Sequence, residues 1–137
     1  MKKMTYLSNG EVVYACEYHV VFCPKYKRKV LVGDIHEECQ KLIMEICKNL
    51  HIDLLQMDIS PDQVELLLEV DPQLGIHKAI KAIKRKTSRE LRHKFPELTT
   101  RLPTLWTNSY MVTTVGKVSQ KPIDAYLASQ KISQRHS

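Results

Sequence analysis

The chain has 137 residues, 43% of them hydrophobic, with only four Gly and six Pro. This suits a single folded domain with its own core and excludes a disordered or low-complexity chain. Lys and Arg number 21 against 15 Asp and Glu, a formal charge of +6, which points to a polyanion partner only if the cations are gathered in one place.

No apolar run approaches the roughly 20 residues of a membrane span, and Lys2 and Lys3 lead into no apolar stretch. The expectation is a cytoplasmic protein with no signal peptide and no membrane contact. Cys16, Cys23, Cys39 and Cys47 show no CxxC pair and no zinc-ligand spacing, so they read as small buried hydrophobes.

In chain order, Glu11 to Cys23 is β-branched and aromatic and reads as one long strand stopped by Pro24. Lys25-Tyr26-Lys27-Arg28-Lys29 follows, four cations around one ring. It suits either a solvated loop or a phosphate clamp in which Tyr26 offers a stacking face. Gly33-Asp34 opens a helix whose apolar stripe is Ile35, Cys39, Leu42, Ile43, Ile46 and Leu50, closed near Asn49 and His51. Residues 52–59 read as a short strand.

Ser60-Pro61-Asp62 then turns the chain into Gln63-Val64-Glu65-Leu66-Leu67-Leu68-Glu69-Val70, a core strand bounded by Asp71-Pro72. Strand alternation puts Gln63 and Glu65 on one face and Val64 on the other. A carboxylate and an amide at the start of a core strand are either wet at a fraying end or part of a site.

A second helix runs from about Gly75 to Phe95, stopped by Pro96, with Ile76, Ile80, Ile83, Thr87 and Leu91 as its buried line. Lys78, Lys81, Arg85, Arg89 and Arg92 form another line. With Lys84, Lys86 and Lys94 they make eight cations against the lone Glu90. A merely soluble helix mixes both signs at i, i+4, so this one reads as a nucleic-acid contact surface.

Leu98 to Asn108 reads as irregular, with Trp106 as a core plug. Ser109 to Val115 reads as a strand ended by a hinge at Gly116. A last helix begins near Ser119, with Pro122 in its first turn and Tyr126 and Gln130 sharing a face at i, i+4; about 131–137 reads as a frayed tail. The order β, α, β, β, α, β, α predicts an α+β domain over 1–137. Its plan is a ferredoxin-like antiparallel sheet with two helices on one face and an added C-terminal helix.

Tyr18 to Leu31, Ser60-Pro61-Asp62, Phe95-Pro96-Glu97-Leu98, Leu105-Trp106, Ser109-Tyr110, Val115-Gly116, and Tyr126 with Gln130 together resemble one family. It is the single-tyrosine HUH transposases of the insertion sequence 200/605 group. The resemblance implies a homodimer that binds single-stranded DNA hairpins at transposon ends. A helix-borne tyrosine attacks the DNA phosphate and leaves a 5′-phosphotyrosine, and a divalent metal held by two histidines and a glutamine polarises that phosphate. By this resemblance Tyr126 is the nucleophile and Gln130 the third metal ligand.

This chain departs from the family's His-hydrophobic-His strand motif, which here reads Gln63-Val64-Glu65. Glu65, with the amide oxygens of Gln63 and Gln130, would make at best a weak Mg²⁺ or Mn²⁺ site. The expectation is therefore a DNA-binding protein on a transposase scaffold, a domesticated transposase that could serve as a regulator or a hairpin binder, with strand nicking lost or weakened. DNA, preferably a single-stranded hairpin, is its partner, and no small-molecule substrate is expected. The alternative is a working transposase with an altered metal site.

Overall fold

A computed structural model describes residues 7–8, 13–14 and 16–115. Strands β1 (Leu7–Ser8) and β2 (Val13–Tyr14) pair with each other in a small antiparallel sheet of their own. The main sheet uses β3 (Glu17–Phe22), β4 (Asp53–Ser60), β5 (Gln63–Glu69) and β6 (Met111–Val115). Its order is β4-β5-β3-β6, antiparallel throughout. Helices α1 (Gly33–Asn49) and α2 (Ile76–Lys94) pack together against it, and a short α3 (Glu97–Arg101) follows. This is the ferredoxin-like plan. No described helix is long and apolar enough to cross a membrane.

Alternation decides which sheet face is covered. Val20 and Phe22 of β3, Val64, Leu66 and Leu68 of β5 and Ile59 of β4 are buried, and they share one core with Ile35, Ile43 and Ile46 of α1 and Ile80, Ile83 and Leu91 of α2. Burial of each such side chain contributes about 1.5–3 kcal/mol. The opposite face carries His19, Val21, Gln63, Glu65, Leu67, Asp58 and Thr113, with no described helix over it.

Helix α1 ends in a tight reversal. The N–H of His51 reaches the carbonyl of Lys48 at 3.2 Å, and that of Ile52 reaches Cys47 at 2.8 Å, with His51 at φ 58°. That pairing satisfies the last-turn carbonyls and aims the chain straight into β4.

Several sequence expectations shift. The single strand from Glu11 to Cys23 is two elements, because Val13–Tyr14 pairs with Leu7–Ser8 while Glu17–Phe22 joins the main sheet. β-branched content favours a strand without saying which partner it takes. The irregular stretch from Leu98 contains most of α3, which begins at Glu97, packs Leu98 into the core, and turns the hydroxyls of Thr99 and Thr100 back onto the carbonyls of Pro96 and Glu97. Of the cysteines only Cys39 and Cys47 are buried; Cys16 is exposed and Cys23 half-buried. Trp106 is a core plug, as expected: its ring meets Phe22 edge-on at 4.7 Å, and its Nε1–H donates to Thr87 Oγ1 at 2.9 Å. The expected hinge at Gly116, the C-terminal helix and the tail lie outside the described residues.

Candidate active site and nucleic-acid interface

The turn at Pro61-Asp62 feeds β5 so that Gln63 pairs with Ser60, and Glu65 lies directly opposite Asp58 on β4 and Val21 on β3. Gln63 and Glu65 therefore share the open face while Val64 is fully buried. This face holds a groove of 380 Å³ lined by His19, Gln56, Asp58, Glu65, Leu67, Thr113 and Val115.

His19 and Asp58 were missed by the reading of the motif strand alone. His19 sits two places along β3 from Val21, which makes it the diagonal neighbour of Glu65, and its Nε2 lies 3.6 Å from Glu65 Oε2. The signal was in the alternation: Tyr18, Val20 and Phe22 are the inward set, so His19 had to face out. Asp58 and Glu65, like charges placed directly across the ladder, are an unfavourable cross-strand pair. His19 lies beside that pair.

Two carboxylates and one imidazole do not form a ready seat for a phosphodiester. Nor do they fit a divalent ion: among the described residues, no three His, Cys, Asp or Glu side chains converge closely enough to hold one. Gln63 adds a neutral amide oxygen, a poor ligand for an ion that dehydrates reluctantly. Tyr126 and Gln130 lie outside the described residues.

The cations of the Lys25–Lys29 cluster leave β3 through a tight turn. Tyr26 (φ 60°, ψ 19°) and Lys27 (φ 50°) are consecutive left-handed residues, each costing about 1–2 kcal/mol. The anchors on both sides hold this shape. The N–H of Lys25 reaches Leu105 O at 2.8 Å, that of Lys27 reaches Pro24 O at 2.9 Å, and that of Leu31 reaches Pro61 O at 3.0 Å. Val30 and Leu31 are buried. The result is a Tyr26 ring 67% exposed, with Lys25 Nζ 5.5 Å from its centroid. Lys27 Nζ lies 3.8 Å from Asp62, so the turn sits beside the start of the motif strand.

On α2, Lys78, Lys81, Arg85, Lys86 and Arg89 are exposed. Arg89 also lies 3.8 Å from Glu90, and the remaining three cations, of which Lys94 is exposed as well, are tied to the fold. Lys84 Nζ donates to the carbonyls of Thr107 at 2.7 Å and Ser109 at 3.3 Å, and burial lowers its pKa. Arg92 donates to Leu102 O at 3.2 Å, and Lys94 pairs with Glu38 at 3.0 Å. The outward row is therefore more sharply defined than the raw count of eight implied.

A family model described as "Transposase IS200 like" matches residues 12–130. The chain belongs to the IS200-like transposase family. Among its relatives, the ISDra2 transposase TnpA of Deinococcus radiodurans is 33% identical over 120 residues, 86% of each chain. The transposase for insertion sequence element IS200 of Salmonella typhimurium is 29% identical over 117 residues, 84% of this chain and 76% of that one. A crystal structure of a candidate transposase from Deinococcus radiodurans superposes with a TM-score of 0.73 at 32% identity, covering 95% of this chain and 98% of that one. A REP-associated tyrosine transposase bound to a REP hairpin shares the fold, with a TM-score of 0.56 at 10% identity over 97% of this chain and 73% of that one. The family match spans the motif strand and also positions 126 and 130.

Proposed function

We propose that this IS200-like family member grips single-stranded or hairpin DNA as a homodimer, and that its metal-dependent nicking is weakened or lost. The observation that carries the second half is the open face at Glu65, where the His19 imidazole and the opposing Asp58 flank the carboxylate, yet no three His, Cys, Asp or Glu side chains among the described residues converge to hold a metal. The first half is supported by the exposed row Lys78, Lys81, Arg85 and Arg89 and by the strained turn that presents Tyr26 with Lys25, Lys27, Arg28 and Lys29. Within this reading the protein acts as a regulator or hairpin binder, and Tyr126 is a nucleophile position without a partner metal.

The test is a mobility-shift titration of the full chain with a hairpin oligonucleotide, with and without EDTA. A shift that persists in chelator and weakens steeply as salt rises supports the reading. Binding that requires added Mg²⁺ or Mn²⁺ contradicts it and favours a working transposase with an altered site. Matching RNA hairpins run alongside show whether the sugar is discriminated.

A further inference from the structure

A second groove, of 290 Å³, lies between α2 and the segment leading into β6, and shares no lining residue with the groove on the open sheet face. Lys84 builds its wall. The ammonium gathers the carbonyls of Thr107, Asn108 and Ser109 and stands 5.4 Å from the centroid of the Tyr110 ring, whose hydroxyl is hydrogen-bonded to His77. With Lys84 so committed, the cations left at the rim are Lys81 and Arg85, one helical turn apart and exposed. Neither has an ion pair or hydrogen bond among the described residues. Across from them the exposed Asn108 offers an amide, donor and acceptor together.

This chemistry suits a nucleotide: two cations for a phosphate and an amide for a base edge. The size argues for one nucleotide, since small-ligand clefts begin at about 300 Å³. The shape argues against a duplex, which is read by an element that protrudes into its groove and not by a concavity. Continuity argues for a nucleotide within a strand. The groove's loop wall is tied to the root of the basic turn by the Pro24–Trp106 bridge, by Lys25 N–H to Leu105 O at 2.8 Å and by Thr107 N–H to Cys23 O at 2.9 Å. A strand running from the α2 row to the Lys25–Lys29 turn would pass over it.

We propose that this groove holds one unpaired nucleotide of the bound DNA, its phosphate between Lys81 and Arg85 and its base edge against Asn108. The proposal rests on the DNA-binding reading above and assigns a place where unpaired sequence is sensed, apart from the Gln63–Glu65 face.

The test uses the full chain and three probes: a hairpin with a short unpaired flank carrying 2-aminopurine, the same hairpin with an abasic flank, and a free deoxynucleoside monophosphate. The two hairpins carry the same phosphates, so the ratio of their affinities isolates the base. The expected result is tighter binding of the base-bearing flank with a change in 2-aminopurine emission. Asn108→Ala, at an exposed loop position, lowers that ratio about three- to tenfold. Equal affinities for the two hairpins in the native chain, or a ratio unmoved both in Asn108→Ala and in Thr104→Ala, at a second exposed residue lining the groove, overturns the proposal. Free nucleotide bound as tightly as the flank also overturns it, in favour of a mononucleotide site. Failure to bind either hairpin sinks the underlying DNA-binding reading instead.

Discussion

Replacing Lys81, Arg85 and Arg89 together by Ala removes three exposed cations from one face of α2 while leaving the Lys84 clamp and the buried line Ile80, Ile83, Thr87 and Leu91 untouched. If each neutralises one phosphate, the slope of log affinity against log salt falls by about 2.7 on duplex stem, or about 2.1 on single strand. Between 50 and 200 mM salt the native-to-variant affinity ratio should then shrink about 20- to 40-fold. Fluorescence anisotropy on a labelled hairpin at several salt concentrations measures both quantities. Stability is the control. Lys81–Arg85 and Arg85–Arg89 are like-charged i, i+4 pairs, each unfavourable by about 0.2–0.5 kcal/mol, so the variant should melt no lower than the native chain. A correctly folded variant with native affinity and native salt slope would refute α2 as the contact surface.

Two further outcomes concern the fold. Trp106→Ala, which opens the core against Phe22 and strips a donor from Thr87, should cost about 3–5 kcal/mol in urea unfolding; Trp106→Phe, which keeps a ring but not the Nε1–H, should cost about 1–3 kcal/mol. Burial pushes the thiols of Cys39 up to about 12 and Cys47 up to about 11, so in the native state thiol reagents at pH 8 should modify Cys16 and leave both untouched until denaturant is added. The same shifts give a sign for pH: above the ordinary thiol value of 9.0 the unfolded chain loses these protons while the native chain keeps them, so stability should fall from pH 9 towards 11.

The parts of the molecule that were legible in the sequence are those whose signal is local. The stripe of α1, the alternation around Val64 and the stop at Pro96 each follow from period and turn chemistry within a few residues. The parts that were not legible depend on who sits next to whom. Nothing within residues 11–23 says that Val13–Tyr14 pairs with Leu7–Ser8 rather than extending β3. His19 counts as a site residue only because β3 lies beside β5, a non-local pairing that places its ring against Glu65. Lys84 looked like one more surface cation, yet it closes the loop at 107–109, because the helix turns it inward over Tyr110. Trp106 is legible as a core plug because a large ring beside Leu102 and Leu105 gains most by burial.

The central claim is that the chain keeps its hold on DNA while the motif strand Gln63-Val64-Glu65 has lost the donors for cutting. The direct measurement sets the native chain beside the double variant Gln63→His with Glu65→His, each incubated with single-stranded hairpin ends and Mn²⁺ and run on a denaturing gel. The account predicts equal hairpin binding, little or no covalent protein–DNA adduct from the native chain, and a Tyr126-dependent adduct from the double variant. A native chain that forms the adduct as fast as the double variant, and loses it in Tyr126→Phe, would contradict the account.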